Sequence, residues 1–277
     1  MYDKLNEKIF LADGYIKKII SALSPLYKKD FAMGQDVTIP LFTALHSYSE
    51  SILILLQNGA VFEADILLRC TMEGTVRYCY LMIGDEKERE VKYNEYKIIM
   101  PEIDRLNDHK KAKDAVGIIK KYSNNNTKPF ETMILSDEEV DNIKNKYTRN
   151  IKNELKKKWS YQSLLKTLAS THKEYEAQLG SLSTYALTSH YCHLDFVGLN
   201  DIQNRIYLSK NDGNIISDYA HSLRIIDNIV AFYAFRVLEY MRCNNYFPEE
   251  ASKLCLGMIQ FSQELNAEIN NIVDNNL

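Results

Sequence analysis

TIPLFTALHSYSESILILLQNG (residues 38–59), followed directly by AVFEADILLRCTMEGTVRYCYLMIG (residues 60–84), is the stretch that decides the fold. Its apolar residues recur at helical spacing, and each half runs into a helix stop, Asn58-Gly59 and then Gly84-Asp85. Thr38 reads as an N-cap with Pro40 in the first turn. One helix is therefore expected over residues 38–56 and a second over 60–83. Helices joined this tightly pack antiparallel as a hairpin.

The same punctuation organises the rest. The 277 residues contain only 10 Gly and 5 Pro, about half the joint share of roughly 12% in average usage. Strand-rich sandwiches, propellers and nucleotide-binding α/β folds need more turns than this, so the count favours long helices with few joints. A helix is expected over residues 2–23, with Ile9, Ile16, Ile19 and Ile20 on one side and a stop at Ser24-Pro25. DFAMGQD (residues 30–36) reads as a loop, and SNNNTKP (residues 123–129) as another. A charged surface helix follows Asp85, bent near Pro101. Ser136 and Glu139 form a capping box for a polar helix reaching to Lys158. Further helices are expected over 161–169, 183–194 and 217–242, the last apolar over much of its circumference and hence central. Residues 205–217, around Asn211-Asp212-Gly213, resemble a small β-hairpin. The predicted fold is all-α, a multi-helix bundle with a charged helical insertion and one small β-hairpin. Core-forming segments 1–84 and 159–277 make a single helical domain, 1–277, around a polar insertion at about 85–158.

Charge and cysteine usage narrow the setting. The net charge of -3 gives no global bias toward nucleic acid or acidic lipid. Five cysteines, odd in number and without a C-x-x-C pair, fit a reduced cytoplasmic location. The longest uninterrupted apolar run is residues 229–235, far short of the roughly 18 to 20 residues that span a bilayer, so no membrane partner is expected.

Four residues stand out as a candidate polar site. Arg69 and Glu73 are four apart in an otherwise apolar helix, a spacing that forms a structural ion pair or presents a carboxylate held by a guanidinium. Ser189 and His193 share a helix face in the same way. His190 and His193 have the H-x-x-H spacing of metal ligands, with Glu50, Glu63, Glu73 and Asp195 as further candidate donors. No H-E-x-x-H or second E-x-x-H accompanies them, and hydrogen-bonded core or interface histidines are the commoner use. His46 with Glu50, and the stripe Asp218, His221, Arg224 and Asn228, are similar polar faces. If these faces meet, Glu73, His193 and His221 would form one buried network. Lys152, Lys156, Lys157 and Lys158 crown a basic stretch with aromatics nearby, which serves either phosphate contacts to RNA or DNA or a solvated helix face. Acidic residues of the last helix could instead complement this patch within the molecule or in a dimer. The chain lacks the phosphate-binding G-x-x-x-x-G-K-[ST], the dinucleotide G-x-G-x-x-G and the hydrolase G-x-S-x-G, and no motif names a cofactor.

ADILLRCTME (residues 64–73) and YALTSHYCH (residues 185–193) resemble the R-x-x-x-E and Y-x-x-L-S-x-x-x-H helices of a bacterial family catalogued as a domain of unknown function. Leu187 and Thr188 are shifted relative to the hydrophobic residue that the second pattern places before Ser189. The resemblance implies an all-helical fold and a shared polar site, and it brings no established reaction. Similar members lie near mobile elements and phage-defence genes, which implies an effector or sensor role. A homo-oligomer is the expected assembly. The R-x(4 to 6)-H pattern of HEPN ribonucleases is missing, the nearest approach being Arg105 and His109 with three residues between them. RNA cleavage, with Glu73 and His193 as acid-base or ligand residues, and a non-catalytic dimeric interaction module are the alternatives.

Overall fold

Helices joined by short turns and irregular links make up the described chain, residues 1–23, 34–123, 125–208 and 212–276 of a computed structural model, with no strand among them. The chain divides into two compact units, Met1–Ile83 with Leu164–Leu277, and Gly84–Ser163.

In the first unit, α1 (Tyr2–Ala22) buries Leu5, Ile9, Ala12, Ile16 and Ile19, a three-and-four spacing that makes one apolar stripe. Ser24-Pro25, the expected stop, lies outside the described residues. The next helix, α2 (Gln35–Gln57), starts a turn before Thr38, because Gly34 at φ 98° provides the N-cap. Thr38 therefore does not cap. Its hydroxyl donates back to the Gly34 carbonyl at 3.1 Å, and Pro40 lies inside the helix. After Gly59 at φ 74°, α3 (Val61–Met82) returns against α2. Gly74 of α3 faces α2 so closely that a Cβ there would sit 2.5 Å from Leu45 Cδ2. The helix α2 is long and apolar enough to cross a membrane by length and composition, over Asp36–Gln57. Here it buries Phe42, Leu45, Ile52, Leu53 and Leu56.

The chain re-enters this unit within α9 (Tyr161–Thr171), followed by two short 3₁₀ turns, α10 (Ser181–His193) and α11 (Phe196–Leu208). The long α12 (Asp212–Cys243) packs on α3, α1, α2 and the terminal α13 (Glu249–Asn276). Its Leu223, Ile226, Ile229, Val230 and Val237 are fully enclosed. The β-hairpin expected over residues 205–217 does not form. Residues 205–208 end α11 and 212–217 open α12, while Asn211 lies outside the described residues. Asn-Asp-Gly marks a joint without specifying what it joins, and Asp at the start of a helix is as favourable as Asp in a hairpin turn.

In the second unit, Asp85 and Glu88 form a reciprocal capping box for α4 (Glu86–Asn94). A π turn, Glu95–Ile99, precedes α5 (Met100–Tyr122). The turn lies just ahead of Pro101, whose ring and missing N–H a regular helix would not accommodate. A single turn, α6 (Lys128–Glu131), leads to α7 (Asp137–Lys146), capped by Ser136 and Glu139, and then to α8 (Arg149–Lys158). The one polar helix expected from Ser136 to Lys158 is thus two. Tyr147 leaves helical backbone to bury its ring with Leu135 and Ile143, and Thr148 recaps the chain by accepting from Ile151 N–H.

The contact at Gly74 sets a test. Gly74→Leu is expected to lower stability by about 1 to 3 kcal/mol through overpacking. Gly14→Leu, with nothing within 4 Å of its Cβ position, should raise it through helix propensity by up to about 1 kcal/mol. Urea midpoints of the two variants check this.

Candidate functional site

The candidate residues do not gather in one place. Arg69 and Glu73 meet as the i,i+4 spacing requires, with Arg69 Nε 3.3 Å from Glu73 Oε1. Arg77, one turn further, donates to Glu73 Oε2 at 3.4 Å. The partner from another helix is Tyr185 of α10, whose hydroxyl donates to Glu73 Oε1 at 2.8 Å and accepts from Arg69 Nη2 at 3.2 Å. The Arg69 guanidinium also lies 4.8 Å from the Tyr185 ring centre, a cation–π distance. Burial, and then the neighbouring Glu73 carboxylate, hold the Tyr185 phenol above its ordinary pKa, so it remains a donor at neutral pH. Both carboxylate oxygens of Glu73 are thereby engaged. Arg69 Nη1, by contrast, is buried with no hydrogen-bond partner among the described residues. Side-chain exposures of 17% for Arg69, 25% for Glu73 and 37% for Arg77 leave the cluster half open to solvent.

Ser189 and His193 continue the face of α10 that begins at Tyr185. Ser189, one turn on, is half-buried. His193 is exposed and lies eight residues along the helix from Tyr185, about 12 Å at 1.5 Å per residue. It makes no hydrogen bond or ion pair among the described residues, so the expected network of Glu73, His193 and His221 is not assembled. His190 pairs instead with Asp195, Nδ1 to Oδ2, at 2.7 Å. Asp195 Oδ1 accepts from Val197 and Gly198 N–H at the start of α11, and the His190 bond leads the effects that lower its pKa. Gly198 is required there, since a Cβ would stand 2.5 Å from the His190 carbonyl oxygen. Among the described residues no group of three or more His, Cys, Asp and Glu side chains is arranged to hold a metal. The Cys70 thiol beside the cluster is raised in pKa, first by burial and then by Cys192 and Glu73, the opposite of an activated nucleophile.

Residue spacing did not reveal two other polar contacts. Asp65, four residues before Arg69, is 1% exposed and accepts His221 Nε2 at 2.5 Å across to α12. His46 Nδ1 is 2.9 Å from Tyr233 Oη, and burial lowers its pKa despite Glu50 at 3.5 Å. Asp65 and Tyr185 carry a faint signal in sequence. Asp65 shares the four-residue spacing of Arg69 and Glu73, and Tyr185 opens the second motif.

A family model described as a family of unknown function (DUF5677) matches residues 35–215, more than half of the chain. The chain belongs to this DUF5677 family. The matched span holds Arg69, Glu73, Arg77, Tyr185, Ser189 and His193, and stops short of His221. No curated protein and no solved structure matches the chain.

The candidate lysines lie in the second unit. Lys158 Nζ donates to the Glu95 carboxylate at 2.7 Å, and Trp159 Nε1 donates to Oε2 of the same carboxylate at 2.9 Å. Lys152 and Lys156 line a groove between α8 and α5 that also contains Asp104, and Lys157 is exposed.

Two changes separate the half-open cluster from the closed pair. Tyr185→Phe removes one hydrogen bond to a carboxylate that keeps two arginines, and is expected to cost about 1 kcal/mol. His221→Ala leaves the Asp65 carboxylate buried and uncompensated, and should cost about 3 kcal/mol or more, much of it recovered when Asp65→Leu is combined with His221→Leu. Chemical denaturation of the four proteins measures both.

Proposed function

We propose that this protein is a cytoplasmic, homo-oligomeric effector or sensor in phage defence or a related stress response, and that it works by binding at the Arg69–Glu73–Tyr185 cluster. The setting in defence rests on the resemblance of its two motif helices to family members near such genes. Binding, as the mode of action, rests on one observation. Arg69 keeps a buried, unpartnered Nη1 beside a half-exposed carboxylate already shared by two arginines and a phenol. Two cations against one anion leave the cluster with an excess positive charge and an unused donor, which suits an anionic group such as a phosphate or carboxylate. Because Glu73 joins α3 to α10 through side-chain atoms alone, a ligand that competes for Arg69 would loosen that contact, and so shift the two helices between states.

General acid-base chemistry by Glu73 and His193 has less support, because both carboxylate oxygens are already hydrogen-bonded and the imidazole stands about two turns away along α10. The test uses the full chain in cells challenged with a phage panel. Glu73→Gln and Arg69→Gln should abolish protection while circular dichroism and melting remain close to wild type, and His193→Ala should keep it. Retained protection in both cluster variants would overturn the reading, as would cleavage of total RNA by the purified protein that is lost in His193→Ala.

A further inference from the structure

In the second unit, helix α8 carries an apolar pair one turn apart, Ile151 and Leu155, yet buries none of its residues. It stands off from α5, and a groove of about 450 Å³ lies between the two helices. Met100, Ile103 and Leu106 of α5 and Leu155 of α8 form the apolar walls. A second cavity, of about 510 Å³, shares Leu155 as a wall. Small-molecule sites have this character, mostly apolar walls with a few placed polar groups, at volumes from about 300 Å³ upward. A dry cavity of about 150 Å³ holds benzene, so the groove has room for on the order of twenty heavy atoms, the size of a nucleoside.

The two cavities differ in charge. In the second, Lys146 is paired with Glu102 at 2.8 Å and Lys158 with Glu95 at 2.7 Å, so its lysines are already neutralised, and Glu154 adds a further acid. The groove has Lys152 and Lys156, four apart on one face of α8, and neither makes an ion pair or hydrogen bond among the described residues. The one acid lining the groove, Asp104 of α5, is likewise uncommitted and stands beyond ion-pair distance of both lysines. Two cations against one anion leave a net positive charge, with two ammonium groups able to converge on one anionic head. The other polar groups are of a different kind. Asn107 and Asn153 each present a donor and an acceptor, whereas Asp104 presents acceptors alone. A ligand that satisfies all of them has an anionic head, a flat or apolar body, and an edge with an N–H donor beside an acceptor. Adenine has that edge in N6 and N7, which amide side chains pair with, and a nucleotide's phosphate supplies the head.

We propose that the α5–α8 groove binds an adenine nucleotide, with the base against Ile103 and Leu155, its amino edge toward Asp104 and Asn107, and the phosphate on Lys152 and Lys156. None of these residues belongs to the Arg69–Glu73–Tyr185 cluster, so neither reading depends on the other. Wild-type full-length protein is titrated at neutral pH and fixed ionic strength with AMP, adenosine, UMP, inorganic phosphate and a short adenine oligoribonucleotide, with binding followed by calorimetry and ligand-observed NMR. AMP should bind saturably, and adenosine and phosphate, each lacking one end of the ligand, should bind about ten-fold more weakly or worse. UMP, with a carbonyl where adenine has its amine, should also bind more weakly than AMP. Lys152→Gln combined with Lys156→Gln should bring AMP down to the affinity of adenosine, and Asp104→Ala should erase the preference for AMP over UMP. These side chains are exposed or half-buried, and circular dichroism checks that the variants stay folded. No saturable binding of AMP, adenosine, phosphate or UMP equal to AMP, or AMP affinity unchanged in the lysine double variant would overturn the proposal. Tighter binding of the oligoribonucleotide than of AMP would overturn it in favour of a strand-binding surface. The wild-type comparison decides it even if a variant fails to fold.

Discussion

Helix α3 has neighbours on three sides, α2, α10 and α12. On its enclosed faces a polar residue cannot turn to water, and each there must be matched by a particular group on a neighbour or cost several kcal/mol. That constraint organises the first unit. The i,i+4 ridge Val61, Asp65, Arg69, Glu73, Arg77 turns by about 40° at each step around the helix axis. Val61 accordingly faces a pocket beside the α2–α3 joint, Asp65 reaches His221 on α12, Arg69 and Glu73 reach Tyr185 on α10, and Arg77 emerges toward solvent. On the α2 side the match is one of shape, with Gly74 leaving room for Leu45.

A second charge is enclosed by different means. Arg236 of α12 is fully buried and has no carboxylate partner among the described residues. Its guanidinium lies 4.3 Å from the Tyr233 ring centre and 5.8 Å from that of Phe42, and Nη2 donates to Ser49 Oγ at 3.1 Å. Burial lowers its pKa to about 10, so it stays charged at neutral pH, held by ring quadrupoles in place of an anion. Glu239, one turn on and also buried, is satisfied by Tyr175 and Arg242 at 3.0 and 2.7 Å. Through Ser49, the Arg236 contact ties α12 to α2, next to the faces of α3 on which the polar ridge depends.

Much of the fold could be read locally. The scarcity of Gly and Pro, the stop at Asn58-Gly59 and the i,i+4 spacing of Arg69 and Glu73 are short-range signals that the folded chain obeys. Signals that name a joint without naming its neighbours were less informative. Asn-Asp-Gly at residues 211–213 is compatible with a hairpin or with a break between helices, and continued helical spacing beyond Ser136 gave no warning that Tyr147 would leave the helix for the Leu135 and Ile143 core. The misplacement of His193 has a similar origin. Sharing a face with Tyr185 and Ser189 is an angular property, and a helix face extends about 12 Å over those eight residues, too far for one site.

The amino-acid sequence by itself determined the helices, most of their ends and the pairings that lie within one helix, because hydrophobic period, capping and i,i+4 geometry act over a few residues. Only the tertiary structure decided that Glu73 meets a phenol 112 residues away, that Asp65 meets an imidazole 156 residues away, and that the α2–α3 joint and the start of α12 enclose a pocket. Those outcomes depend on which helices become neighbours. That choice is made by the packing of whole apolar faces, which no short stretch of sequence encodes.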